Sequence, residues 1–320
     1  MFNRVEITNF KSIRNLEFEA KRVNVFIGEP NTGKSNLLEA LAFFSVGVFD
    51  PGVFKEIYRF RTLADLFFDQ DVSKDIGVVA DSYLCKVKFT APSFTVSRMD
   101  DDRALQTFQY TMAGATTIWR DPKSTVRYYE YKSLSAFQNL APGFLKPPFG
   151  DNLAAILYSN KTLRQSIGAL FRERGFRLEI KPVQHELLFA KEVNDELYSY
   201  PWDSLSETLR RIVFYRAALE TNQNAVLLLD EPESNTFPFY TKYLAERIAL
   251  DASNQFFITT HNPYLLSSVV EKTPGRDLAV FVTRMKQFET TVSRISEGNL
   301  SELLELDADA FFNLDRLAGE

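Results

Sequence analysis

The chain has 320 residues, 45% of them hydrophobic and 25% charged, with a net charge of −5. That balance suits a soluble globular protein with chain enough for one large core or two small ones, and it excludes a polycation that coats nucleic acid over its whole surface. One cysteine, Cys85, and two histidines, His185 and His261, exclude an internal disulfide and a cysteine zinc site.

The N-terminal residues Met1-Phe2-Asn3-Arg4-Val5-Glu6 lack the apolar region of a signal peptide. The longest apolar stretch, 37–49, carries Glu39 and is too short to span a bilayer. A cytoplasmic protein without a membrane partner is expected. Val5-Glu6-Ile7 and Leu16-Glu17-Phe18 alternate apolar and polar residues, which predicts two strands around a loop from Thr8 to Asn15. Val23-Asn24-Val25-Phe26-Ile27 reads as a buried strand, and the residues from Asn36 to Phe43 read as a helix.

Between them stands Gly28-Glu29-Pro30-Asn31-Thr32-Gly33-Lys34-Ser35, which matches G-x-x-x-x-G-K-[ST] at every fixed position. Strand, glycine loop and helix form the context this motif requires. The glycines let backbone N–H groups close around phosphate oxygens, and the helix N-terminus adds partial positive charge. Lys34 can then reach the β- and γ-phosphates, Ser35 can ligate Mg²⁺, and Asn36 opens the helix beside them. The loop residues 28–36 are therefore candidate ligands of ATP.

Residues 76–132 are rich in β-branched and aromatic side chains and predict antiparallel strands. Pro142-Gly143 and Pro147-Pro148-Phe149-Gly150 mark a lobe boundary. A helix capped by Asp151 is expected to run to about Arg174, followed by strands over 176–180 and 186–190 and a helix over 206–219. Ala225-Val226-Leu227-Leu228-Leu229-Asp230-Glu231 is an apolar run of the kind found in a central parallel strand, ending in two carboxylates. In nucleotide hydrolases the first acid supports Mg²⁺ and the second can polarise the attacking water, so Asp230 is the candidate metal residue and Glu231 the candidate base. A strand from Gln255 ends in Thr259-Thr260-His261, where His261 stands as a γ-phosphate sensor would. A last helix is expected over 297–312.

Taken together, Asn9-Phe10-Lys11-Ser12, the phosphate loop, Leu229-Asp230-Glu231-Pro232-Glu233 and Thr259-Thr260-His261-Asn262-Pro263 resemble the ABC-class ATPase heads, within them the RecF, SMC and OLD-like branch. The resemblance implies an α/β P-loop NTPase head with a mixed-sheet core, an antiparallel β subdomain and a helical lobe. Lobe I would comprise about 1–140 plus 222–320, and lobe II about 141–221. It implies a Mg²⁺-ATP site sandwiched between two heads, hence an ATP-dependent homodimer. It also places a signature serine at Ser206, where Glu207 and Thr208 replace the usual glycine pair; Ser206 reads equally well as an ordinary helix N-cap. Gln70 stands where a Mg²⁺-sensing glutamine would, with a polar turn residue as the alternative. Lys11 and Ser12 resemble residues that touch the nucleotide, with a solvated loop as the alternative.

Arg164, Arg172, Arg174, Arg177, Lys181 and Arg210-Arg211 concentrate positive charge, either as solvated faces or as a surface for the DNA backbone. The resemblance implies an ATP-driven switch in DNA repair or phage defence. The alternative is a nucleotide-sensing subunit with weak hydrolysis that controls a separate effector or nuclease subunit without binding DNA.

Overall fold

A computed structural model of the chain describes residues 1–45, 51–101, 103–120 and 125–319. The end of the long apolar stretch, 46–49, lies outside the described residues. In chain order the elements are β1 (Arg4–Phe10), β2 (Ile13–Glu19), β3 (Val23–Ile27), α1 (Lys34–Ala42), α2 (Pro51–Tyr58), β4 (Ile76–Ala80), β5 (Tyr83–Thr90), β6 (Ser93–Asp100), β7 (Arg103–Thr111), β8 (Gly114–Arg120) and β9 (Val126–Tyr129). There follow α3 (Leu153–Ser159), α4 (Lys161–Arg172), β10 (Phe176–Lys181), β11 (Glu186–Val193), β12 (Glu196–Pro201) and α5 (Glu207–Thr221). The chain continues through β13 (Val226–Asp230), α6 (Pro238–Leu250), β14 (Gln255–Thr259), α7 (Pro263–Lys272), β15 (Leu278–Lys286), β16 (Glu289–Arg294) and α8 (Glu297–Leu306).

The chain divides into two compact units, one of residues 1–128, 224–231 and 254–320, the other of 129–223 and 232–253. The division differs from the expected lobes in one important way. Residues 232–253 leave the nucleotide-binding part, because α6 packs against α5 of the second unit.

The first unit holds two sheets. The mixed sheet has the order β16-β15-β3-β14-β13-β9. Its central strand β3 is parallel to both β14 and β15 and fully buried, as its predominantly apolar residues favour. The one polar residue in that strand, Asn24, is accommodated because its side chain bonds Lys21 N, Lys21 O and Phe256 O. The other sheet, β2-β1-β4-β5-β6-β7-β8, is antiparallel throughout. The strand near residue 126 does not extend this sheet as expected; it joins the mixed sheet as β9. Helix α1 packs on β1, β13 and β14, with Leu37, Leu38, Ala40 and Leu41 buried. The abundant phenylalanine is used here: Phe10, Phe43, Phe54 and Tyr58 form one ring cluster, and Phe18, Phe26 and Phe281 another.

The β1–β2 connection is shorter than its polar residues suggest. The strands pair as far as Phe10 and Ile13, leaving only Lys11 and Ser12 in the turn.

The second unit combines α3, α4, α5 and α6 with the three-stranded antiparallel sheet β10-β11-β12. The helix expected from Asp151 is two helices. Asn160 ends α3 and its side chain accepts from Leu163 N at 3.0 Å, which caps α4. Strand β12 escaped the sequence reading because all six of its residues are exposed, so no burial alternation marks it.

Candidate functional site

Gly28 and Gly33 adopt φ values of 154° and 93°, and Asn31 adopts 63°. A Cβ on Gly28 would lie 2.4 Å from Thr283 Oγ1, and one on Gly33 would lie 2.0 Å from Thr290 Oγ1. The motif glycines thus let the loop press against β15 and β16 as well as turn. Thr283 Oγ1 donates to Ile27 O and sits 2.9 Å from Thr32 Oγ1, while Thr290 Oγ1 donates to Thr32 O at 3.0 Å. Thr32 Oγ1 bonds Glu29 O at 2.9 Å, so the loop is tied at its base while Glu29, Pro30 and Asn31 stay exposed.

Lys34 folds back into this loop and donates to Gly28 O at 2.9 Å and Glu29 O at 2.7 Å. Burial pushes its ammonium pKa down, and the Glu231 and Asp230 carboxylates oppose that shift. Helix α1 starts after Gly33 without a side-chain cap. Its first-turn N–H groups therefore point into the loop with no side-chain acceptor, the arrangement that suits a phosphate.

The carboxylates come from the neighbouring strand ends. Asp230 pairs in register with Thr259. Ser35 Oγ donates to Asp230 Oδ1 at 3.2 Å, and Thr259 Oγ1 donates to the same oxygen. Burial raises the Asp230 pKa, against the donors Thr259 and Ser35 and the charge of Arg59. At Glu231 the backbone turns left-handed, φ 43°, and its N–H donates to Thr259 Oγ1 at 3.0 Å. Positive φ on a glutamate is uncommon and marks the end of β13 as a conformational outlier. His261 Nδ1 lies 3.1 Å from Glu231 Oε1, with both side chains partly exposed. Asn262 then caps α7 by accepting from Tyr264 N and Leu265 N.

The remaining candidates separate. Ser12 Oγ lies 2.7 Å from Thr290 Oγ1 and accepts from Asn36 Nδ2 at 2.7 Å, so Ser12 and Asn36 brace the loop from behind. The ammonium of Lys11 is bound to Glu39. Gln70 is exposed, and its amide donates to Asp65 Oδ1 at 3.0 Å rather than to the Ser35–Asp230 pair. In the second unit, Ser206 is the N-cap of α5 and accepts from Leu209 N, which is the local role the sequence left open. Glu207 in that first turn is paired with Arg211 at 3.0 Å.

Sequence reasoning missed Thr259, Thr283, Thr290 and the Lys11–Glu39–Arg59 group. Glu39 is fully buried on α1 and holds Lys11 on one carboxylate oxygen and Arg59 on the other. The paired threonines before His261 were a visible signal, since hydroxyls at the end of an apolar strand need partners. Nothing in the spacing of Glu39 and Arg59 announced their pairing.

These groups fit nucleotide and Mg²⁺. Ser35 and Asp230 supply a hydroxyl and a carboxylate oxygen at one point, the hard donors that Mg²⁺ takes. Among the described residues no group of three or more His, Cys, Asp or Glu could hold a metal by itself.

The family model described as "AAA domain, putative AbiEii toxin, Type IV TA system" matches residues 23–267. No curated protein matches the chain. Among solved structures, the chain resembles an SMC head bound to the C-winged helix domain of ScpA at 13% identity and TM-score 0.55, covering 94% of this chain and 99% of that one. The SMC head domain from Thermotoga maritima aligns at 12% identity and TM-score 0.43, over 92% and 99% of the two chains. The first of these likenesses shows the fold. With the phosphate loop, the acidic strand end and the mixed sheet in place, the chain belongs to that AAA-domain family and has the fold of an SMC head.

Proposed function

We propose that this chain binds and hydrolyses Mg²⁺-ATP and that ATP closes two copies head to head. The observation that carries the hydrolysis is the convergence of Ser35, Asp230, Thr259, Glu231 and His261 on adjoining strand ends beside the Lys34 loop. ATP would supply the phosphoanhydride and Mg²⁺ the charge that binds its oxygens. Lys34 exchanges its two carbonyl partners for phosphate oxygens, which restores the full charge that burial opposes. Ser35 and Asp230 hold the metal side. Glu231 accepts the proton of the attacking water, and His261, protonated at Nδ1, donates to Glu231 and holds its carboxylate in one orientation.

Closure rests on α5. Its N-terminus, capped by Ser206, carries the free donors and the dipole that a partner's γ-phosphate would use. Arg211 and Asn235 both bond Glu207, which offsets the negative charge that replaces a glycine there.

The output has two readings. A role in DNA repair or phage defence would use the basic residues of the second unit. Many of these are already engaged: Arg177 with Glu192, Lys181 with Glu179, Arg164 with Tyr158 O, Arg174 with Leu170 O and Glu173. That commitment favours the second reading, a nucleotide-sensing subunit that controls a separate effector.

Light scattering of the Glu231→Gln variant with Mg²⁺-ATP tests the core of the proposal. The amide keeps the shape but accepts no proton, so ATP should stay bound, turnover should vanish and the mass should double. If the mass stays at 36.7 kDa and Ser206→Arg leaves ATPase activity intact, the head-to-head mechanism is wrong for this chain.

A further inference from the structure

We infer that Phe288 is the base-stacking platform of the nucleotide site, an aromatic face for the purine ring; this rests on the ATP reading above. Strands β15 and β16 are joined by the two-residue turn Gln287–Phe288, whose φ values are 51° and 63°. A two-residue turn with both central residues at positive φ suits Asn-Gly, and a bulky aromatic there is a conformational outlier. Packing does not explain it, because Phe288 is 88% exposed. An exposed phenylalanine held in an unfavourable backbone region points to use by a ligand.

The hairpin that carries Phe288 is fastened to the phosphate loop. Thr290, two residues on, donates through Oγ1 to Thr32 O at 3.0 Å and lies 2.7 Å from Ser12 Oγ. Its N–H donates to Ser12 O at 2.7 Å, and its hydroxyl fills the space where Gly33 would carry a Cβ. Two residues of strand span about 7 Å, so the tip stands about that far beyond the point of contact with the loop. A nucleotide whose phosphates fill the loop carries its base at a comparable remove. Met285, opposite Thr290 and two residues before the turn, is itself partly exposed. On the other side of the tip, Arg14 braces Glu289 at 3.4 Å and lies 4.8 Å from the centre of the Phe68 ring. The platform is therefore an exposed aromatic on an anchored hairpin, which reads the face of a base and not its edges. Purine triphosphates are its ligand class, with adenine and guanine bound alike at this contact.

Calorimetry of wild type, Phe288→Ala and Phe288→Trp with Mg²⁺-ATP and with inorganic tripolyphosphate tests the assignment. Base–aromatic stacking predicts that Phe288→Ala loses ATP affinity by roughly tenfold or more. Tripolyphosphate affinity should not change, and Phe288→Trp should keep ATP affinity. Unchanged ATP affinity in Phe288→Ala overturns the platform. Equal losses for both ligands also overturn it, because they would show that the turn shapes the loop and meets no base. Wild-type protein that binds neither ligand refutes the ATP reading itself, and this inference with it.

Discussion

Changing Thr259 to valine probes the joint between Asp230, the proposed metal residue, and Glu231, the proposed base. Thr259 is fully buried, donates to Asp230 Oδ1 and accepts from Glu231 N. Valine keeps the shape and removes both bonds. A hydrogen bond to an ionised carboxylate contributes about 1.5–3 kcal/mol and one to a neutral amide about 1 kcal/mol, so the loss is roughly 2.5–4 kcal/mol. For a unit of this size that lowers the unfolding midpoint by roughly 5–16 °C. The pH dependence has a defined sign. Burial already holds the Asp230 pKa above its ordinary value, and the Thr259 hydroxyl opposes this. Without the hydroxyl the pKa rises further. A carboxyl whose folded pKa is raised binds its proton more tightly in the native state. Its destabilising effect is absent below the unfolded pKa of about 4 and complete above the folded value. The valine variant widens that window, and because Mg²⁺ needs the carboxylate, the acidic limb of Mg²⁺-dependent ATPase activity moves to higher pH. Thermal unfolding, a pH profile and a double-mutant cycle with Asp230→Asn are the assays. A valine variant as stable as wild type, with an unmoved acidic limb and no coupling to Asp230, would refute the reasoning.

Lys34→Ala should lower ATP affinity by about two orders of magnitude in calorimetry, because it removes the charge-assisted bonds of the one lysine in the loop; unchanged affinity would remove the phosphate-loop reading. Gly33→Ala brings a Cβ within 2.0 Å of Thr290 Oγ1 at a φ of 93°, so it should lower both the unfolding midpoint and ATP binding; an alanine variant that binds ATP as wild type does would show that the loop can leave β16. His261→Ala should reduce kcat by about 10²-fold or more with KM nearly unchanged, since it frees the Glu231 carboxylate without touching the loop; a rise in KM alone would assign His261 to binding instead.

The phosphate loop and the acidic strand end were legible because their chemistry is local. Glycines at fixed spacing, one lysine, one serine and two consecutive carboxylates after an apolar run keep their meaning in any fold that provides strand, turn and helix. The alternation in β1 and β2 and the largely apolar runs of β3 and β13 announced half-buried and fully buried strands for the same reason: side-chain periodicity reports the local environment. Ser206 as a helix cap was readable from its neighbours. Contacts between distant segments were not. Thr290 reaches the phosphate loop from 258 residues away, and Thr283 meets Thr32 across 251. Lys11 resembled a nucleotide contact and Glu39 and Arg59 carried no signal of a partner; the fold brings both cations to the one buried Glu39 carboxylate. Gln70 had the right chemistry at the expected place in the chain, and its backbone turns left-handed there while its amide bonds Asp65. The division into units followed the same logic, since the chain leaves the nucleotide core at residue 231, packs α6 on α5 and returns for β14. Sequence alone therefore singled out the groups proposed to hold phosphate and metal, because that choice depends on residue type and short-range geometry. Tertiary structure alone decided which hydroxyls and charges surround them, because strand order sets those neighbours.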